Sequence, residues 1–186
     1  GVDPYEEQLT RFSQDALAQE VPLPRLIPGR TESYQIDQAY DLVFTSHSLY
    51  YVPNLQEALQ RIVDSGREAI IVHHGARGIH ELHLAFPQLV SPGPHIISTA
   101  DEVGNALAHI DLKGRALERH DFLSRADISA CLEEGHASGE ALLAFFFEGP
   151  FSTLSSSDVV DIRAFLRRQW GPDLFLLHED TIFVVR

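Results

Sequence analysis

A chain of 186 residues, 44% hydrophobic and 22% charged, has the length of one domain. It can bury roughly 70% of its unfolded surface, which excludes an intrinsically disordered protein. A net charge of -13, from 27 carboxylates against 13 arginines and Lys113 with no basic cluster, repels phosphate backbones and anionic lipid and excludes nucleic acid as the expected partner.

The elements read as follows. Tyr5, Leu9, Phe12 and Ala16 recur at helical spacing after an extended stub, Gly1-Val2-Asp3-Pro4, so a helix follows a strand end. Pro22, Pro24 and Pro28 stop it, leaving Leu26-Ile27 as a short strand. Asp41-Leu42-Val43-Phe44 is apolar without alternation and reads as a buried strand. Pro53-Asn54 announces a helix with Leu55, Leu59, Ile62 and Val63 on one face, ending at Gly66. Ala69-Ile70-Ile71-Val72 repeats the buried-strand pattern, and a helix follows from Gly78 to Phe86. Residues 87–94 read as a loop, and Val103, Ala106, Leu107 and Ile110 as another helix. Residues 115–122 fit a strand, and residues 128–132 and 142–147 fit short helices separated by a stretch from Gly135 to Gly139. Ser155 and Asp158 form a capping box with Asp in place of Glu, opening a helix that buries Val159, Ile162 and Leu166. Residues 174–177 and 181–185 are apolar runs on either side of His178-Glu179-Asp180 and read as a terminal hairpin, although no Gly supports a tight turn. The alternation predicts one α/β domain, a mostly parallel sheet with helices on both faces. The longest apolar runs fall far short of the ~20 residues of a bilayer span. No signal-peptide pattern opens the chain. The lone Cys131 fits a reducing compartment, so a cytoplasmic location is the expectation.

In an open parallel sheet ligands gather at the carboxyl ends of the strands. Those positions are polar here: Asp3, then Arg30-Thr31-Glu32, then Thr45-Ser46-His47-Ser48, then His73-His74-Gly75. A carboxylate ending a strand, such as Asp3, can accept from both hydroxyls of a ribose; its bland alternative is a turn before Pro4. His73, His74, His80, Glu81 and His83 raise the question of a metal. His80-Glu81-Leu82-His83 lacks the second residue that the zincin motif places between Glu and the following His, and no Cys pair assists, so no metal is expected. There is no strand, Gly-x-Gly, helix turn and no Gly-x-Ser-x-Gly nucleophile elbow.

Gly1-Val2-Asp3-Pro4-Tyr5-Glu6-Glu7-Gln8, Asp41-Leu42-Val43-Phe44, Ser48-Leu49-Tyr50-Tyr51-Val52 and Asp127-Ile128-Ser129 together make the chain similar to a class I S-adenosylmethionine (SAM) methyltransferase. More narrowly, it resembles the histamine N-methyltransferase family. The resemblance extends through Ile97-Ser98-Thr99-Ala100-Asp101 to Thr181-Ile182-Phe183-Val184-Val185. It implies a Rossmann-like sheet closed by an antiparallel C-terminal hairpin, SAM as cofactor, and transfer of its methyl to a small molecule, an amine nitrogen by preference. Asp3 would take the ribose hydroxyls, Gln8 would support the cofactor from the next helix, Thr31 and Glu32 would lie by the adenine, and Ser46 would lie beside the cofactor. His47, Tyr50 and Tyr51 would line the acceptor pocket. His47 would either accept the amine proton or simply pack on Tyr50, and the tyrosine rings would face a sulfonium or ammonium. His83 falls where the family has an aromatic wall and His178 near a polar acceptor contact. Both departures argue for an acceptor other than histamine.

The family's first strand and glycine-rich loop have no counterpart in residues 1–186. With no Met in the chain and Gly1 already inside a strand end, the expectation is that these residues are the C-terminal part of a longer domain. The rival reading is a non-catalytic binding or assembly module that keeps the methyltransferase fold.

Overall fold

The computed structural model describes residues 1–30, 38–90, 97–171 and 174–186. The chain opens with β1 (Val2–Asp3), crosses through α1 (Glu6–Ala18), and returns as β2 (Ile27–Pro28) parallel to β1. It continues through β3 (Tyr40–Ser46), α2 (Leu55–Ser65), β4 (Gly66–His74), α3 (Ile79–Ala85), α4 (Ala100–Leu107), β5 (Leu117–Asp127), α5 (Ala137–Phe146), α6 (Ser156–Trp170) and β6 (Phe175–Val185). Strands β3 to β6 form one sheet in the order β3-β4-β6-β5. The β3/β4 pair is parallel, and β6 runs antiparallel to both β4 and β5.

Local chemistry explains several boundaries. The Asn54 side chain accepts the Glu57 N–H at 3.2 Å and starts α2. Ser155 and Asp158 exchange backbone-to-side-chain bonds of 2.9 and 3.2 Å at the start of α6, the predicted capping box. The Arg115 guanidinium donates to the carbonyls of Val63 (2.7 Å), Gly66 (2.8 Å) and Leu112 (3.0 Å), tying the end of α2 and the start of β4 to the turn before β5.

The core has two parts. Ala69 and Ile71 of β4 lie opposite Val185 and Phe183 of β6 and pack under Leu59, Ile62 and Val63 of α2 and Val103 and Leu107 of α4. A second cluster joins Leu82 of α3, Leu143 and Phe146 of α5, and Ile162 and Leu166 of α6 to Leu176 of β6.

Four sequence expectations change. The larger sheet is mixed rather than mostly parallel, β3/β4 being its one parallel pair among the described residues. Residues 175–185 are one continuous strand, not a hairpin, and β6 pairs antiparallel with β4 and with β5, with Ser124 opposite His178 and Phe122 opposite Asp180. His178 and Asp180 sit inside the strand with a cavity before their side chains, and Glu179 between them turns to Gly75 and Ala76. Residues 41–44 are a strand but not a buried one: Leu42 and Phe44 are 49% and 62% exposed. Among the described residues β3 pairs only with β4, and on its other side a cavity of about 590 Å³ separates it from β1. The helix expected at 142–147 begins at Ala137 and takes Gly139 into its first turns. A Cβ on Gly139 would stand 1.9 Å from the Ala130 carbonyl oxygen, so glycine serves there as a contact surface rather than a helix breaker.

Candidate active site

The turn after β3 is the pivot of the site. The ladder to β4 runs on to the His47 N–H, which donates to the Val72 carbonyl at 3.0 Å. There the backbone turns left-handed, with φ +51° at His47, a conformation that non-glycine residues adopt at a cost and that clusters at functional sites. Consecutive residues consequently serve different cavities. Ser46 lines the 590 Å³ cavity together with Asp3, Thr45 and Ser48, and His47 lines a second cavity of about 670 Å³. Thr45 and Ser48 hydroxyls bond each other across the turn.

The second cavity gathers Tyr50, Tyr51, His83 and His178 with His47. His47 Nδ1 bonds the Tyr50 hydroxyl, and the Tyr51 hydroxyl donates to Glu148 Oε2. The Tyr50 ring stacks on His74, centroids 4.5 Å apart and planes at 22°, and lies 4.6 Å from the ring of His73. Burial and the nearby Asp180 and Glu148 push the Tyr50 hydroxyl well above its usual pKa. Burial and the bond to Glu148 do the same at Tyr51. His83 is buried and donates Nε2–H to the Phe146 carbonyl at 2.6 Å, which joins α3 to α5 at the cavity wall. His178 comes from β6, and Gly78 allows the start of α3 to approach it: at φ +89° a Cβ there would stand 2.7 Å from His178 Nδ1.

His73 and His74 end β4 as buried, neutral imidazoles. Burial lowers their pKa values to about 4 and about 2, although the Ser98 carbonyl, accepting from His73 Nε2 at 2.8 Å, pulls His73 the other way. Burial also lowers His47, against the pull of Asp180. Among the described residues no three His, Cys, Asp or Glu side chains gather as metal ligands.

Asp3 lines the first cavity. Its Oδ1 accepts the Tyr5 N–H at 2.8 Å. Gln8 lies on α1 and lines a shallower cavity with Asp3, not the one shared by Asp3 and Ser46. Thr31 and Glu32 lie outside the described residues. Sequence reasoning missed Asp180, Glu148 and the apolar wall of Leu142, Phe145 and Phe146 in the second cavity. The signal for Asp180 was its i, i+2 spacing from His178, which puts both side chains on one face of a strand.

No protein-family model matches the chain, and no curated protein is detectably similar to it in sequence. Solved structures do match. A putative methyltransferase from Bacillus halodurans superposes with a TM-score of 0.68 at 11% identity, over 100% of this chain and 80% of its own. The YcgJ protein from Bacillus subtilis gives 0.61 at 16% identity, over 100% and 81%. The N-methyltransferase NodS from Bradyrhizobium japonicum, solved with S-adenosyl-L-homocysteine, gives 0.50 at 10% identity, and this chain spans 64% of its length. At such identities the likeness is one of architecture, and the chain has the fold of the class I SAM-dependent methyltransferases.

Proposed function

We propose that the chain is part of an enzyme that transfers the methyl group of SAM to a small-molecule acceptor, an amine nitrogen by preference. The observation that carries this reading is the turn at residues 46–48. It puts Ser46 in the cavity with Asp3 and His47 in the cavity with Tyr50, Tyr51 and His178, so that two ligands would meet across one strained turn. Asp3, at the carboxyl end of β1, keeps Oδ2 for ribose hydroxyls. Bound SAM supplies an electrophilic methyl on sulfonium, and the remaining work is orientation and proton removal. With Nδ1–H donating to the Tyr50 oxygen, His47 Nε2 is left to accept the acceptor's proton; burial keeps this imidazole neutral and able to do so.

The likeness to histamine N-methyltransferase is the finer part of the reading, with His83 and His178 fitting the pocket to an acceptor other than histamine. The reading also includes one more strand between β1 and β3, supplied by chain outside residues 1–186 and bearing a backbone loop for the cofactor. Cys131, a buried free thiol, suits a reducing cytoplasm. The separation of β1 and β2 from the larger sheet favours the rival, a non-catalytic module with the same fold.

Calorimetric titration of the longest natural chain containing these residues with SAM tests the proposal. Binding should be saturable, and Asp3→Ala should weaken it by roughly 1.5–3 kcal/mol, the worth of hydrogen bonds to a charged group. Absence of binding in the parent would favour the rival, and equal affinity in the variant would remove Asp3 from the ribose.

A further inference from the structure

Asp180 is a buried carboxylate whose charged-group neighbours among the described residues are histidines. It sits within β6, backbone-paired to His74 on one side and Phe122 on the other, and is 7% exposed. Oδ2 lies 3.4 Å from the Ser124 hydroxyl, which donates to it. Oδ1 is buried with no hydrogen-bond partner among the described residues. His178 Nε2 lies 3.3 Å and His47 Nε2 3.8 Å from it, and among the described residues its ion pairs include no arginine or lysine. Burial keeps the His47 imidazole short of protons, so it does not supply a lasting positive charge.

A buried charge is costly unless it is paired and hydrogen-bonded, and a strand interior gives a carboxylate no way to swing out to water. Asp180 lines the 670 Å³ cavity, whose apolar lining is Leu176 of the same strand with Ile79, Leu142, Phe145 and Phe146. An anionic end and an apolar wall define a ligand by complement. An unsatisfied carboxylate oxygen asks for an N–H donor that carries charge, which a quaternary cation lacks, and the wall asks for a hydrocarbon body. Tyr50 and Tyr51 line the same space.

We infer that the Asp180 carboxylate anchors the N–H-bearing ammonium group of the acceptor, and that the cavity selects amines with a compact apolar or aromatic body over neutral or anionic molecules of the same shape. The inference rests on the methyl-transfer reading only for the fate of the bound amine; the recognition itself is independent of SAM. Asp180 is a specificity residue, and its position 3.8 Å from His47 Nε2 places the bound nitrogen beside the group proposed to take its proton.

The test is a pair of isosteric probes without cofactor. Benzylamine and benzyl alcohol are titrated calorimetrically into the full chain and into Asp180→Asn, with circular dichroism of both proteins as the folding check. The parent should bind benzylamine about tenfold or more tighter than benzyl alcohol, and Asp180→Asn should reduce the ratio to about two or less. The preference should persist at high salt, because a buried pair is screened far less than the diffuse field of a protein of net charge -13. Equal affinity of the parent for the two probes would overturn the inference even if the variant failed to fold. So would a preference that salt abolishes, a preference that Asp180→Asn retains, or no saturable binding of benzylamine at millimolar concentration. SAM titration separates the two readings: amine selectivity without SAM binding supports the anchor and removes methyl transfer, and SAM binding without amine selectivity does the reverse.

Discussion

Two buried imidazoles side by side at the end of β4 make the fold sensitive to mild acid. His73 is fully buried and His74 is 4% exposed, and burial holds their pKa values near about 4 and about 2. In the unfolded chain both titrate near ~6.5. The unfolded state thus binds more protons than the native state as pH falls below ~6.5, and stability is lost from there down to the native pKa values. Between about pH 7 and pH 5 each histidine costs roughly 1–2 kcal/mol, or about 2–4 kcal/mol for the pair, a large part of the ~5–15 kcal/mol that a domain possesses. Carboxylate losses fall lower: Asp121, held below its usual range by the Thr181 hydroxyl and then by Arg119, titrates beneath this window. Urea unfolding followed by circular dichroism at the two pH values measures the loss. His74→Phe, which keeps a ring against Tyr50 and removes a buried Nε2 with no hydrogen-bond partner, should cut the pH dependence by roughly half. A parent equally stable at both pH values, or a variant with the parent's full slope, would refute the burial argument.

Gly139→Ala should destabilise by about 3 kcal/mol in urea unfolding, although alanine is the better helix former by ~1 kcal/mol, because its Cβ would stand 1.9 Å from a backbone carbonyl oxygen; a neutral or stabilising result would mean that α5 can move away from residues 129–132. Arg115→Met should cost about 2–3 kcal/mol by freeing the carbonyls of Val63, Gly66 and Leu112, and Arg115→Lys should recover only part of it, since an ammonium cannot span the fork. An unchanged unfolding midpoint in Arg115→Met would show that water replaces the guanidinium at no cost.

Much of this architecture was legible from local patterns. The apolar face of α2, the short strand at β2, the run of β4 and the capping box of α6 all lie within a few residues of their sequence signals. Apart from the start of α5, the errors share one cause, which is that pairing partners are not written locally. Leu42 and Phe44 look like buried-strand residues, and only the lack of a second neighbour for β3 among the described residues leaves them exposed. His178-Glu179-Asp180 looks like a turn because polar residues interrupt two apolar runs. In a strand flanked by β4 and β5 the same residues alternate, two toward the cavity and one away. Reading those residues as a turn also hid Asp180. His47, Tyr50, Tyr51, His83 and His178 lie around one space, but they were singled out through the family resemblance rather than through spacing. Their separation along the chain carries no periodic signal.

The two sides of the 670 Å³ cavity differ in kind. His178 and Asp180 stand on a strand bonded to neighbours along both edges, so their positions are fixed by two ladders at once. Phe145 and Phe146 stand near the end of a short helix, and the Phe145 ring is 68% exposed. The polar side is stiff, and Phe146 is held in the core, whereas Phe145 forms a deformable edge. A pocket built this way keeps its demand on a ligand's head group while tolerating changes in the bulk of its tail. Tail preference can drift by substitution at Phe145 without disturbing the sheet, whereas a change of head group has to be made inside the sheet, in β6 itself.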